Sequence, residues 1–308
     1  MEKIAPTIPQ TAPSAQVTPT PNSSTLKFWT WRVWQHIAAV LSYPLFVLGS
    51  LLLLLFVPLS MLLFRADKQR TRWLRSALHR GAKLWIGLTT SLLLIRVEVD
   101  DRRAPGSGAD TKTPLLVIAN HPSLIDVLLI SAALPDLCCV LKGNLHYNPL
   151  FTLLIRHLDY LPNSDPEVML TEGQARLAVG EHLLIFPEGT RTAPAQATGE
   201  APSNAIPDLQ FRLGAAELAR RTGAHTLPVV IHYQESYLSK GHPWYRLPPN
   251  IMAFRLEIGP TIDPLIAPLI AQAEGLSTRT QHKQHRRRIN QGWIDHFVER
   301  LSGPGMGN

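Results

Sequence analysis

Hydrophobic positions are spread unevenly along this chain, and the unevenness divides it into parts. Ile37–Phe64 is a run of 28 residues without a charge. A helix crosses a bilayer with roughly 20 apolar residues, so this run suffices with room for tilt. Pro44 and Pro58 lie inside it, which membrane helices tolerate when the freed backbone groups find partners. Three forms fit: one spanning helix, a hairpin of two short helices broken near Gly49-Ser50, or a buried helix of a soluble protein. Residues 71–90 carry Trp73, Leu74, Ala77, Leu78 and Trp85 among basic residues. That pattern suits an interfacial helix or, equally, a helix packed on the C-terminal part of the chain.

From there the pattern alternates. Short apolar runs predict strands at Leu92–Val99, Leu115–Ala119, Leu137–Leu141, His182–Phe186, Thr226–His232 and Ala253–Ile258. Helix-like stretches lie near 123–134, 148–157, 166–179 and 209–222. Alternation of this kind predicts an α/β class: a central mixed sheet flanked by helices, preceded by an N-terminal membrane helix or helical hairpin. The chain divides into four parts. Residues 1–25, rich in Pro, Thr, Ser and Ala, read as disordered. Residues 26–90 form the anchor and amphipathic helix, 91–278 the α/β domain, and 279–308 a basic helical tail. Within the domain, 193–207 reads as a long loop.

Charge changes the picture in two ways. A net charge of +7 asks for an anionic partner, and both nucleic acid and an anionic membrane surface have that sign. The apolar run decides for the membrane. Arg65, Lys68, Arg70, Arg72, Arg75 and Arg80 come after that run, against Lys27 and Arg32 before it. The positive-inside rule then puts the domain in the cytoplasm, at the inner membrane if the source is bacterial. The tail's Arg286-Arg287-Arg288 suits the same lipid surface. Cys138 and Cys139 are adjacent in an apolar run, so they read as reduced core residues.

Candidate chemistry sits in two places. Asn120-His121-Pro122-Ser123-Leu124-Ile125-Asp126 joins a predicted strand to an apolar helix whose one charge is Asp126. Burying a lone carboxylate is expensive, so something must meet it. Five residues on a regular helix rotate the chain by about 500°, leaving the two side chains about 140° apart. His121 must therefore lie in the turn before the helix and fold back. Pro122 favours that turn and makes a good first helical residue. The product is an imidazole held by a carboxylate, the arrangement a general base requires. A structural contact fits the pair alone equally well. Ser123 reads as a helix cap, with a nucleophilic role as the alternative.

The second place is Phe186-Pro187-Glu188-Gly189-Thr190-Arg191. Pro187 and Gly189 break a strand, and an arginine beside such a turn matches an oxyanion with a bidentate fork. A surface ion pair at a strand end is the alternative. No Gly-x-Ser-x-Gly elbow, Walker loop or Gly-x-Gly-x-x-Gly occurs, so serine hydrolysis, nucleotide hydrolysis and dinucleotide redox are unsupported. His282 and His285 lack a carboxylate or cysteine cluster, so no metal is expected.

Together the two blocks resemble the glycerolipid acyltransferase superfamily, typified by the 1-acylglycerol-3-phosphate acyltransferases. Its signatures, Asn-His-x4-Asp and Phe-Pro-Glu-Gly-Thr-Arg, stand here unaltered. The similarity runs from about Leu115 to Tyr233. It takes in Lys142 and Pro149, then Leu227-Pro228-Val229-Val230-Ile231. The resemblance implies a membrane-anchored α/β domain that needs no metal or cofactor. In it a histidine lets an acceptor hydroxyl attack the thioester of acyl-CoA or acyl carrier protein. His121 and Asp126 would be base and orienter. Glu188, Gly189, Thr190 and Arg191 would hold a lysolipid acceptor, with Asn120, Ser123 and Lys142 as further site residues.

One departure bears on the acceptor. Where the phosphoglycerol enzymes usually carry an arginine for the acceptor phosphate, this chain reads Asn163-Ser164-Asp165. The Tyr160-Leu161-Pro162-Asn163 form is similar to a bacterial branch associated with polyene or fatty-acid-type synthases. Three readings result. The expected function is O-acylation of a lysolipid, with 1-acylglycerol-3-phosphate giving phosphatidic acid as the first choice and a different acceptor as the second. A thioesterase or lipid hydrolase could use the same His–Asp pair. A non-catalytic membrane protein retaining the fold is the third.

Overall fold

The computed structural model describes residues 23–103, 113–142, 155–191, 209–233, 251–263 and 278–302. Residues 1–22 of the expected disordered segment, the loop 193–207 and most of the helix expected at 148–157 lie outside these. Residues 155–158, at the end of that stretch, are helical.

The long apolar run forms a continuous helix α1, Ser23–Leu63, with Pro44 and Pro58 inside it. It passes through Gly49-Ser50 unbroken, so the hairpin form is not adopted. Trp29–Leu63 is long and apolar enough to cross a membrane, since 35 helical residues reach about 52 Å at 1.5 Å each. Val40, Leu55, Met61, Leu62 and other large side chains stand exposed along it. Water would not favour such a surface.

Helix α2, Asp67–Ser91, folds back on α1 and buries Leu74, Arg75, Ala82 and Thr89. The packed alternative for this segment is the one adopted. Trp73 meets the rings of Phe56 and Phe64. Arg75 is 2% exposed. It donates from Nε to Leu158 O at 3.0 Å and from a terminal nitrogen to Glu181 at 2.9 Å. His79 Nδ1 lies 2.7 Å from Ser131 O. A buried arginine without partners would be prohibitive, so these contacts fix α2, and α1 with it, to the domain.

Among the described residues the sheet has seven strands: β1 Ile95–Asp101, β2 Leu115–Ala119, β3 Leu137–Leu141, β4 Leu161–Pro162, β5 His182–Ile185, β6 His225–Tyr233 and β7 Met252–Ile258. Their order is β1-β7-β6-β2-β5-β3-β4. Only β6 and β7 run antiparallel, so the sheet is mixed, in keeping with its pattern. Strand β4, two residues long, is not among the predicted strands. Its length leaves no room for a readable alternation.

Every residue of β2 is buried, because helices cover both faces. Leu115, Val117 and Ala119 share one core with Leu74 of α2 and with Leu129 and Ile130 of α3, Asp126–Ala133. Leu116 and Ile118 face the other core. That side is covered by α4 (Pro166–Ala178), α5 (Leu213–Thr222) and α6 (Thr278–Ser302). Cys139 and Cys138 fall one on each side and are fully buried. Burial pushes the Cys138 thiol up to about 11, so it stays protonated and inert.

The basic tail helix is part of this second layer. Ile289, Trp293 and Phe297 of α6 are buried there, and Phe297 has no exposure. Complete burial of such a ring stabilises by about 1.5–3 kcal/mol. The charge-rich composition of 279–300 points to a lipid surface instead. The three large apolar positions, four residues apart, form a buried face, while Arg287 and Arg288 stay exposed. They seat α6 on the sheet face opposite the one that receives α1 and α2.

Glu217 ties α5 together and reaches α6. It accepts from Arg220 at 2.8 Å and Arg221 at 2.8 Å, and Arg286 lies 3.9 Å away. The Arg220 and Arg221 bonds hold its carboxyl down at about 2, against an ordinary 4.5. A depressed carboxylate contributes stability above its unfolded value and loses it as pH falls through the folded one. Glu217→Gln should therefore lower the melting temperature at pH 7. Its deficit against wild type should shrink between pH 4.5 and about 2. A deficit that stayed constant with pH would mean that the ion pairs contribute nothing.

Candidate active site

Parallel pairing brings the C-terminal ends of β2, β3, β4, β5 and β6 to one edge of the sheet, and both motifs begin there. β2 ends at Ala119 and hands over to Asn120-His121. β5 ends at Ile185 and hands over to Phe186–Arg191. Residues 67 positions apart become neighbours through three ladder pairs between Leu116–Ile118 and Leu183–Ile185.

His121 lies in the turn before α3, and its Nδ1 is 2.7 Å from Asp126 Oδ2. Asp126 has no exposure, while the His121 side chain keeps 21%. Helix α3 starts at Asp126 itself, so Pro122 belongs to the turn and is not the first helical residue. Ser123 is also not a cap. Its backbone N–H donates to Asp126 Oδ2 at 2.8 Å, and its hydroxyl donates to Oδ1. Three donors thus converge on one buried carboxylate. Burial pushes the Asp126 carboxyl above the usual carboxylate range, and His121 and Ser123 pull it back. The Ser123 hydroxyl is spent on this carboxylate, which removes the observation a nucleophilic role would need.

Asn120, 2% exposed, faces the neighbouring strand. Its Nδ2 donates to Ile231 O at 2.9 Å, and Ile231 N–H donates back to its Oδ1 at 2.7 Å. The side-chain amide therefore extends the ladder one step past β2 and fixes the turn that carries His121. Asn120→Ala should leave two buried backbone groups of Ile231 unpaired, at about 1–3 kcal/mol each. Chemical denaturation should show a loss of about 2–6 kcal/mol in all. An unchanged stability would show that water replaces the amide.

Glu188, 8% exposed, accepts from the His121 backbone N–H at 3.1 Å. The two motifs thus touch through a hydrogen bond between the glutamate of one and the backbone of the other. Phe186 stacks on the imidazole, ring centres 4.4 Å apart. Gly189 donates to Phe186 O at 3.0 Å and adopts φ +66°, a conformation that favours glycine. Thr190 is exposed, and Arg191 is half-buried beside it. Lys142 comes directly after β3 at the same edge and is exposed. Among the described residues no hydrogen bond joins it to the His–Asp pair.

Asp165 lies near this edge too, just past β4, but in a structural role. It is the N-cap of α4, its carboxylate accepting from the backbone N–H groups of Glu167 at 2.9 Å and Val168 at 3.2 Å. It occupies a helix start that would otherwise attract an anion.

Sequence reasoning gives no role to Phe186 as a ring over the imidazole, nor any place to Arg212. The stacking is set by the register between β2 and β5, which no local pattern reports. Arg212 stands 21 positions after Arg191 and carries no motif signal.

A family model described as Acyltransferase matches residues 95–232. The lyso-ornithine lipid O-acyltransferase of Rhizobium meliloti (strain 1021) is 32% identical over 217 residues, covering 67% of this chain and 65% of that protein. The chain thus spans just under two thirds of that relative's length. The 1-acyl-sn-glycerol-3-phosphate acyltransferase of Pseudomonas aeruginosa is 26% identical over 234 residues, covering 74% of this chain and 79% of that protein. The crystal structure of the 1-acyl-sn-glycerophosphate acyltransferase PlsC from Thermotoga maritima superposes with a TM-score of 0.53 at 21% identity. The superposition covers 92% of this chain and 99% of that one, and it shows a shared fold. Residues 95–232, which bring both signature blocks to one sheet edge, thus belong to the Acyltransferase family.

Proposed function

We propose that this chain is a membrane-anchored O-acyltransferase that moves a fatty acyl group from a thioester, acyl-CoA or acyl carrier protein, to a hydroxyl of a lysolipid. The observation that carries the reading is the His121–Asp126 contact at 2.7 Å, with the imidazole partly exposed and the carboxylate wholly buried. Asp126 holds the proton of Nδ1, so Nε2 presents a lone pair. The acceptor hydroxyl gives its proton to Nε2 as its oxygen attacks the thioester carbonyl. The tetrahedral intermediate then collapses, the C–S bond breaks, and the imidazolium returns the proton to the departing sulfur. The exposed apolar length of α1 supports a membrane anchor. The arginines and lysine at the α1–α2 junction support a cytoplasmic, anionic surface beside the domain.

Lysophosphatidic acid is the first acceptor to test, in keeping with the signature blocks and with the Pseudomonas relative's name. A second acceptor, a lysolipid with an amino-acid headgroup, is favoured by a specific observation. Asn163-Ser164-Asp165 stands about where the phosphoglycerol enzymes usually carry an arginine, and the Rhizobium relative is named for lyso-ornithine lipid. Membranes carrying the protein, given acyl donor and both acceptors, should form a His121-dependent diacylated product measurable by mass spectrometry. Free fatty acid as the sole His121-dependent product would replace the transferase reading with a hydrolase.

A further inference from the structure

Arg212 belongs to neither signature block, yet it lies against one of them. A Cβ built on Gly189 would fall 2.9 Å from Arg212 Nε and 3.1 Å from its Cδ. The guanidinium stem therefore covers the one residue of the Phe186–Arg191 turn that has no side chain. That place is held from several directions. The Arg212 backbone N–H donates to Pro187 O at 2.8 Å. Phe211 is buried, with its ring edge-on to Phe297 of α6 at 5.3 Å. Its carbonyl accepts from Asn290 of α6 at 3.1 Å. The turn on one side and the C-terminal helix on the other thus clamp the segment carrying this arginine.

Among the described residues the exposed Arg212 side chain makes no ion pair and no hydrogen bond. The nearest carboxylate along the turn, Glu188, accepts from His121 N–H. An arginine stays charged at any working pH. A surface arginine is ordinarily free to wander and needs no explanation. This one has its backbone bonded to the turn and its stem packed on a glycine. That glycine is one peptide from the residue touching the proposed base. Asp165, near where a phosphate-binding arginine is expected, caps α4 and supplies no cation.

We propose that Arg212 binds an oxyanion of the bound substrate beside Gly189 and thereby sets substrate specificity. The reading rests on the acyl-transfer function above. A guanidinium fork fits a phosphate or a carboxylate. Two sources carry that chemistry: the acceptor headgroup and the phosphates of a coenzyme A donor.

The test uses the full chain in detergent, with Arg212→Gln, Arg212→Lys and Gly189→Ala. Initial rates are measured with lysophosphatidic acid against monoacylglycerol as acceptor. On the donor side they are measured with palmitoyl-CoA against palmitoyl N-acetylcysteamine thioester, which has no phosphate. Arg212→Gln should raise KM for the oxyanion-bearing substrate by about 10- to 100-fold, the range of a lost charge-assisted hydrogen bond, with kcat little changed. Arg212→Lys should recover part of this. Gly189→Ala, which displaces the side chain but keeps its charge, should raise the same KM. A rise confined to lysophosphatidic acid assigns the headgroup; one confined to palmitoyl-CoA assigns the donor.

Equal changes for charged and uncharged partners, or none, would overturn the proposal. Thermal stabilisation by lysophosphatidic acid and by coenzyme A, read without turnover, separates this from a failed function. If wild type is stabilised and Arg212→Gln is not, the site stands even where no acyl transfer occurs. If neither compound stabilises wild type, or both stabilise the two proteins equally, it falls.

Discussion

His121→Ala should reduce acyl transfer by about 10²- to 10⁴-fold, the range that a positioned general base contributes, while the protein remains folded. Its imidazole is the partly exposed member of a contact whose other member is fully buried, so alanine there opens no deep cavity. What disappears is the acceptor for the hydroxyl proton and the stacking on Phe186. Without that acceptor a neutral hydroxyl must attack the thioester, and the barrier rises accordingly. The check is the initial rate of diacyl-lipid formation beside wild type, with melting temperatures measured on the same preparations. A residual rate within a few-fold of wild type would remove His121 from the chemistry and leave the motif a structural contact.

Asp126→Asn should cause a loss of similar size, on the order of 10³- to 10⁴-fold, by a different route. The carboxylate accepts from His121 Nδ1, and so fixes the tautomer in which Nε2 can accept a proton. An amide can turn its N–H₂ toward Nδ1 and reverse that assignment. Stability should behave differently from rate. Burial is the largest influence on the Asp126 carboxyl and raises it above its ordinary 3.8. A carboxyl whose folded pKa is raised loses stability for the native state as pH climbs from the unfolded value through the folded one. At neutral pH the charge therefore opposes folding, and Asn should keep a melting temperature close to wild type or above it. A large fall in melting temperature would show that the bonds from Ser123 and His121 outweigh desolvation. The rate loss would then reflect unfolding rather than tautomer control.

Much of this molecule is legible along the chain. Strands such as Leu115–Ala119 and Leu137–Leu141 match the observed ones because a strand buried on both faces is a short unbroken apolar run. The helix predicted at 166–179 matches α4 within a residue, marked by Asp165 and Pro166 at its start. The fold-back of His121 onto Asp126 comes from the cost of a lone buried carboxylate. Elsewhere local signals mislead. Ser123 looks like a cap because serine before a helix usually is one, yet the helix begins three residues later and its hydroxyl serves Asp126. The tail looks like a lipid-facing helix because charges outnumber its apolar residues. Three side chains at spacing four are enough to bury one face of it in the core, and Arg287 and Arg288 stay exposed.

The sequence by itself determined the layer class, the helix long and apolar enough to cross a membrane, and the pairing of His121 with Asp126. Each of these is set by contacts or costs within a few residues of chain. Only the tertiary structure decided what lies across the strands. The ladder between β2 and β5 brings Glu188 to the His121 backbone. Asn120 reaches Ile231 through the pairing of β2 with β6. Arg212 reaches Gly189 because α6 clamps Phe211 from the far side. Such contacts depend on strand order and register, which are fixed by packing the whole core at once, and no local pattern of residues encodes them.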